Sequence, residues 1–117
     1  LEYYNPEYID KVARDFPELK IVISHGGWPH ALEMVHIAWA HPNVYISPDC
    51  YLVGDVPGSE IYVKAANSPR IQDQIIFGSV YPAPLKLAYD SYIDQLNTEA
   101  QYKVLYANAA KLLGMEK

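Results

Sequence analysis

One histidine, His25, lies where a predicted strand ends and two glycines follow. The run Lys20–Ser24 is rich in β-branched residues without polar/apolar alternation, which predicts a strand buried on both faces of a parallel sheet. Gly26 and Gly27 let the backbone turn sharply. Folds with parallel sheets keep their chemistry at this end of the strands, and imidazole exchanges protons near neutral pH. His25 is therefore our candidate acid/base; a histidine that only bonds a backbone carbonyl is the alternative.

A second polar group of residues follows the next predicted strand, Val44–Ser47. Asp49 lies in an irregular segment, residues 48–58, whose side chains are of the kind that line pockets. We expect Asp49 either to reach a substrate or to be a solvated turn acid. Cys50 has no neighbouring base or cation in the sequence, which favours an unreactive thiol. The other three histidines fall on or beside a helix, and we expect them at the surface: His30, His36 and His41.

The rest of the pattern alternates helices with strands. Asn5, Pro6 and Glu7 combine a capping residue, a proline suited to the first helical position and an acid near the positive helix end. A third strand is predicted at Gln74–Ser79. The order helix, strand, helix, strand, helix, strand, helix, helix predicts a parallel sheet with right-handed crossovers.

Apolar spacing also predicts which side of each helix faces the core. A capping-box pattern, Thr98 to Gln101, opens the last helix, and Gly114 ends it. The tyrosines of the last two helices are expected to be core or interface residues. The predicted inward positions are Ile9, Val12, Ala13 and Phe16 on the first helix, Ala31, Leu32, Val35, Ala38 and Trp39 on the second, Leu85, Ala88, Tyr89, Tyr92, Ile93 and Leu96 on the fourth, and Tyr102, Leu105, Tyr106, Ala109, Leu112 and Leu113 on the last.

Composition limits the kinds of partner. The 117 residues make one domain at most, or part of one, and half of them are hydrophobic, as in globular proteins. Nine basic and fourteen acidic residues give a net charge of -5 without any cluster of Lys or Arg, which argues against nucleic acid and anionic membranes as partners. Cys50 is the single cysteine, and no segment has the pattern of a signal peptide or a membrane span. We therefore expect a cytoplasmic protein.

A series of short motifs runs along nearly the whole chain. They are FPELKIV at 16–22 leading into HGG at 25–27, HPNVY at 41–45, IFGS at 76–79 with YP at 81–82, and NA at 108–109 with LLG at 112–114. Their order and spacing resemble the carboxyl-terminal part of metal-dependent enzymes of the amidohydrolase superfamily. The similar branch is amidohydrolase family 2, which includes aminocarboxymuconate-semialdehyde decarboxylase.

The resemblance implies a fold and a site. It implies an α/β fold in which residues 1–117 form one segment, the carboxyl-terminal portion of a TIM (β/α)₈ barrel with about three βα units. A divalent metal, most often zinc, is expected for the family at the carboxyl ends of the strands. His25 matches the histidine of strand six that acts on the metal-bound water or the substrate. Val80 stands where the family has its Asp ligand, and an isopropyl group offers a metal no lone pair.

The same resemblance frames the expected function. It implies hydrolysis or decarboxylation of a small carboxylic acid, with Trp28, Asp49 and Tyr81 as candidate substrate-binding residues at the barrel mouth; the two aromatic residues can equally pack under a loop. A catalytically silent relative that binds a ligand or serves as a scaffold is the second interpretation, because of Val80. A small independent α/β interaction module is the third.

Three strands cannot close a barrel. The chain by itself would expose two sheet edges, which is an aggregation hazard. We therefore expect it to pair with the remainder of a barrel or with copies of itself, and to be inactive alone.

Overall fold

Two parallel strands form the centre of the fold. The computed structural model describes residues 5–52, 56–79, 82 and 84–115. Strand β1 (Ile21–Ser24) pairs in parallel with β2 (Val44–Ser47), so that Ile21 lies opposite Val44 and Ser24 opposite Ser47. This pairing confirms the α/β class and the parallel direction of the strands.

Helices flank the two strands. The core between them is apolar and includes Met34, Val44, Ile46, Leu52 and Ile75, all fully buried. None of the helices in the described ranges is long and apolar enough to cross a membrane. The helices are α1 (Pro6–Asp15), α2 (Ala31–Ala40), α3 (Ser59–Ala66), α4 (Leu85–Gln95), α5 (Thr98–Tyr102) and α6 (Asn108–Leu112), with a π-helical turn at Lys103–Ala107 and 3₁₀ turns at His25–Gly27, Asp49–Leu52 and Gln72–Gln74.

The amino-terminal helix begins as the sequence predicts. The side chain of Asn5 accepts a hydrogen bond from the backbone N–H of Glu7 at 2.9 Å, and Pro6 occupies the first turn. The Asn43 amide, at the start of β2, donates to the carbonyls of Phe16 and Leu19 at 3.2 and 2.9 Å. These bonds tie the loop after α1 to the amino ends of the strands.

The predicted third strand is shorter than expected. Residues Gln72–Gln74 form a 3₁₀ turn, and Ile75 makes a single parallel bridge to Ile46. At this turn the Gln74 side-chain amide donates to the carbonyls of Val44 and His41 at 2.7 and 3.1 Å. The backbone N–H of Phe77 donates to Val104, outside the sheet.

The predicted inward faces of several helices are wrong in part. On α2, Leu32 and Trp39 are exposed, whereas Met34 and Ile37 are buried beside Ala38. This helix is apolar on almost every side, so spacing alone does not choose a face. On α1 the predicted Val12 and Phe16 are exposed, and on α4 so are Leu85 and Tyr89.

The last helix departs furthest from its predicted face. Asn97, not Thr98, caps it by accepting a hydrogen bond from the backbone of Ala100 at 2.9 Å. The π-helical turn then adds a residue to one turn and rotates everything after it. Tyr102, Tyr106 and Leu113 are exposed, and the buried positions are Ala100, Val104, Asn108 and Ala110.

The turn after β1 requires its glycines. His25, Gly26 and Gly27 have φ of 56°, 61° and 67°, so three successive residues are left-handed. A Cβ on Gly26 would lie 2.6 Å from the Tyr62 hydroxyl and closer still to its ring. A Cβ on Gly27 would lie 2.7 Å from Cε of Met34. The core therefore packs directly against the backbone that carries His25.

We predict that Gly26→Ala lowers the free energy of unfolding by about 2–5 kcal/mol, since left-handed strain adds to a clash with the Tyr62 ring. The matched control is Gly114→Ala, where φ is also positive (69°) but no atom lies within 4 Å. That variant should lose only about 1–2 kcal/mol. Chemical denaturation measures both losses, and equal losses would contradict the packing argument.

Candidate functional site

His25 lies at the carboxyl end of β1 with its side chain 50% exposed. Its ring Nδ1 is 3.2 Å from Oδ2 of Asp49, and its backbone N–H donates a hydrogen bond to the same oxygen at 3.0 Å. Nε2 makes no hydrogen bond to the described residues. One nitrogen of the ring thus faces a carboxylate while the ring remains open to solvent.

Asp49 is not the solvated turn acid that the sequence allowed as an alternative. Its side chain is only 13% exposed, and the residue lies two positions after the end of β2 with φ of 55°. The Ser47 hydroxyl donates a short hydrogen bond to Oδ1. A Cβ on Gly78 would collide with Oδ1, so only glycine lets the third strand segment pass this carboxylate. The structure therefore brings together two predicted site residues, His25 and Asp49, from adjacent strands.

Two buried phenols hold the backbone of the site. The Tyr62 hydroxyl donates to the carbonyl of Gly26 at 2.8 Å, and the Tyr92 hydroxyl donates to the carbonyl of Asp49 at 3.4 Å. Burial raises the pKa of both tyrosines, and for Tyr92 the nearby Asp49 carboxylate adds to the rise in pKa. Both hydroxyls therefore stay protonated donors throughout the neutral range.

An aromatic pair borders the histidine. Trp28 stacks on Tyr51 with ring centroids 5.1 Å apart and planes 5° apart. The Trp28 Nε1–H donates to the carbonyl of Pro57 at 3.0 Å, and the His25 and Tyr51 rings lie edge to face with centroids 6.0 Å apart. Trp28 is thus packed beneath a loop, as one of the two interpretations expected, and its contact with a substrate stays a prediction.

Of the other predicted residues, Val80 and Tyr81 fall outside the described residues. Among the other histidines, His30 pairs with Glu33 at 3.1 Å, and His41 is mostly buried against Asp10 at 2.7 Å instead of lying at the surface. Sequence reasoning missed Ser47, Tyr51, Tyr62, Gly78 and Tyr92; only the positions of Ser47 and Gly78 at strand ends could have indicated them.

A metal centre does not fit the described residues by themselves. No three His, Cys, Asp or Glu side chains in the described part of the chain come together in a way that could hold an ion. The cluster supplies one imidazole and one carboxylate, and the carboxylate already accepts hydrogen bonds from Ser47 and His25. A protein zinc site takes at least three ligands, so further donors would be necessary.

Comparison with known proteins identifies the family. The amidohydrolase family model matches residues 1–115, and the chain belongs to that family. The fold is similar to an uncharacterised TIM-barrel protein, Bb4693, from Bordetella bronchiseptica, with a TM-score of 0.90 and 42% sequence identity. The match covers 97% of this chain and 41% of that one, so the chain corresponds to a fragment of the barrel. No curated protein matches.

Proposed function

We propose that the chain contributes a general acid/base, His25, to hydrolysis or decarboxylation of a small carboxylic acid. The observation that carries this proposal is the half-exposed imidazole beside the Asp49 carboxylate, at the strand ends of an amidohydrolase-family chain. The decarboxylase-like branch suggested by the sequence belongs to the same proposal.

The chemistry of the proposal rests on proton transfer. An imidazole takes a proton from water or substrate and returns it to a leaving group or carbanion, and it works best near neutral pH. The flat faces of Trp28 and Tyr81 would suit an unsaturated or aromatic acid. Asp49 acts here through His25, because its oxygens already accept hydrogen bonds from Ser47 and the His25 backbone.

A cytoplasmic location fits the single cysteine and is testable by cell fractionation.

A divalent metal, with zinc as the first candidate, belongs to this proposal for the intact protein. Its ligands would have to come from residues other than those described, since these supply too few donors. No step of the proton chemistry above depends on it.

The partner we propose is the remainder of a barrel. Among the described residues, β1 pairs only with β2, and an apolar groove lies open beside Phe77. The relative Bb4693 is a TIM barrel and is more than twice as long as the matched segment. This supports the proposal that further strands, and not a second copy of this chain, cover the strand edge and the groove. The groove is lined by Phe77, Leu85, Lys86, Tyr89 and Leu105.

A catalytically silent barrel is the second candidate. It is favoured by Val80, which stands where the resembling family has a metal-binding Asp. Such a protein would keep the barrel and bind a small acid without converting it.

We predict that His25→Ala in the intact protein lowers kcat by about 10²–10⁴-fold, the usual contribution of a positioned acid/base. Turnover is screened with a panel of small aromatic and unsaturated carboxylic acids, by carbon dioxide release, and with their amides, by acid release. His30→Ala is the control, because the His30 ring pairs with Glu33 and not with Asp49. Unchanged rates for His25→Ala would remove the residue from the mechanism.

Metal content separates the two candidates. Elemental analysis of the intact protein should find stoichiometric zinc or another divalent metal if it is a metal-dependent enzyme. Absence of metal until Val80→Asp restores the carboxylate would favour the silent relative. Val80→Asn is the matched control, because it adds a polar side chain of similar size without the charge that holds a cation.

The isolated 117-residue chain should associate or aggregate and show no turnover, because its sheet edges and apolar groove are uncovered. Light scattering measures its mass in solution. A monodisperse monomer at 13.2 kDa would contradict the proposal that further strands cover these surfaces.

A further inference from the structure

We infer that Asp49 is a positioning residue that fixes the tautomer of His25, with the proton on Nδ1 and the basic lone pair on Nε2. The inference deepens the proposed function and rests on it for its catalytic meaning. The tautomer of His25 is a property of the protein itself, so it can be measured without a substrate.

The first argument is the geometry of one carboxylate oxygen. Oδ2 of Asp49 accepts the backbone N–H of His25 at 3.0 Å and lies 3.2 Å from Nδ1 of the same residue. The backbone bond fixes where the oxygen sits relative to the ring. His25 has a left-handed φ of 56°, and its backbone nitrogen and ring Nδ1 both lie near this oxygen, at the two distances given.

The second argument is electrostatic. A lone pair on Nδ1 would face a negatively charged oxygen at 3.2 Å and be repelled by it, whereas an N–H there is attracted. The neutral ring therefore carries its proton on Nδ1, and Nε2 keeps the lone pair. Because the ring is half exposed, that lone pair is available to a water or substrate.

The third argument is that the carboxylate cannot easily turn away. The Ser47 hydroxyl donates to Oδ1, and Gly78 leaves no room for a side chain on the other flank. The Tyr92 hydroxyl donates to the Asp49 carbonyl at 3.4 Å. The Ser47 hydroxyl and the His25 backbone N–H thus hold the two carboxylate oxygens, and Tyr92 holds the Asp49 backbone.

The consequence for hydrolysis is a defined path for one proton. Nε2 takes a proton from water as the water oxygen forms a bond to the acyl carbon. The imidazolium, stabilised by Asp49, returns that proton to the leaving group as its bond to the carbon breaks. No charge or atom is left over, and no proton passes to Asp49.

The test is nitrogen NMR of the histidine rings in the intact protein, at a pH where they are neutral. The Nδ1 and Nε2 shifts of His25, assigned by their loss in His25→Gln, should show the Nδ1–H tautomer. In Asp49→Asn the amide can donate to Nδ1, which moves the proton to Nε2. The expected result is that reversal, with a fall in kcat of about 10²–10⁴-fold.

The control pair is His30 with Glu33, also joined through Nδ1 at 3.1 Å but on the surface of α2. Glu33→Gln should leave the His25 signals and turnover unchanged. A protonated Nε2 in the unmodified protein would overturn the inference, and so would unaltered His25 signals in a folded Asp49→Asn. The first result needs no variant, so a misfolded Asp49→Asn leaves the inference testable.

Failure of the proposed function has a different signature. If His25→Ala keeps full activity while His25 shows the Nδ1–H tautomer, the assignment of His25 to catalysis is wrong and the Asp49 contact stands. If His25→Ala is inactive but Asp49→Asn reverses the tautomer at full activity, the positioning role is wrong and the proposed function stands.

Discussion

The structure depends on one nearly buried carboxylate. Removing a charged group from water is costly unless donors surround it. Asp49 receives the Ser47 hydroxyl on one oxygen and the His25 backbone N–H on the other. These donors belong to two different strands, so the bonds that compensate the charge also join the ends of those strands. Stability and the orientation of the candidate acid/base therefore have the same physical origin at this point.

The backbone around this carboxylate is held by the core. His25 and Asp49 both have left-handed φ, a conformation that costs a residue with a side chain about 1–3 kcal/mol. Tyr62 bonds the carbonyl of Gly26, and Tyr92 bonds that of Asp49. Both phenols are fully buried, and burial raises the pKa of each, so their hydrogen bonds persist through the neutral range. A rigid core thus maintains the two strained turns that carry the site.

The sequence predicted the positions of strands and helices better than the side of each helix that faces the core. Strands β1 and β2 were found because their runs of apolar residues are short and bounded by turn residues. Inward faces failed on α2, which is apolar on nearly all sides, and on the last helix, where a π-helical turn changes the rotation. Asp49 was found as a candidate, but its contact with His25 spans 24 residues of sequence and depends on strand register, which no local pattern encodes.

The candidate site is local to two neighbouring strands. Ser24 lies opposite Ser47 in the β1–β2 register, so the residues that follow each strand, His25 and Asp49, are brought together by hydrogen bonds within the described fold. The uncovered surfaces, in contrast, are the far edge of β1 and the groove beside Phe77. The contact between the imidazole and its carboxylate therefore needs only residues of this chain, from the ends of two neighbouring strands.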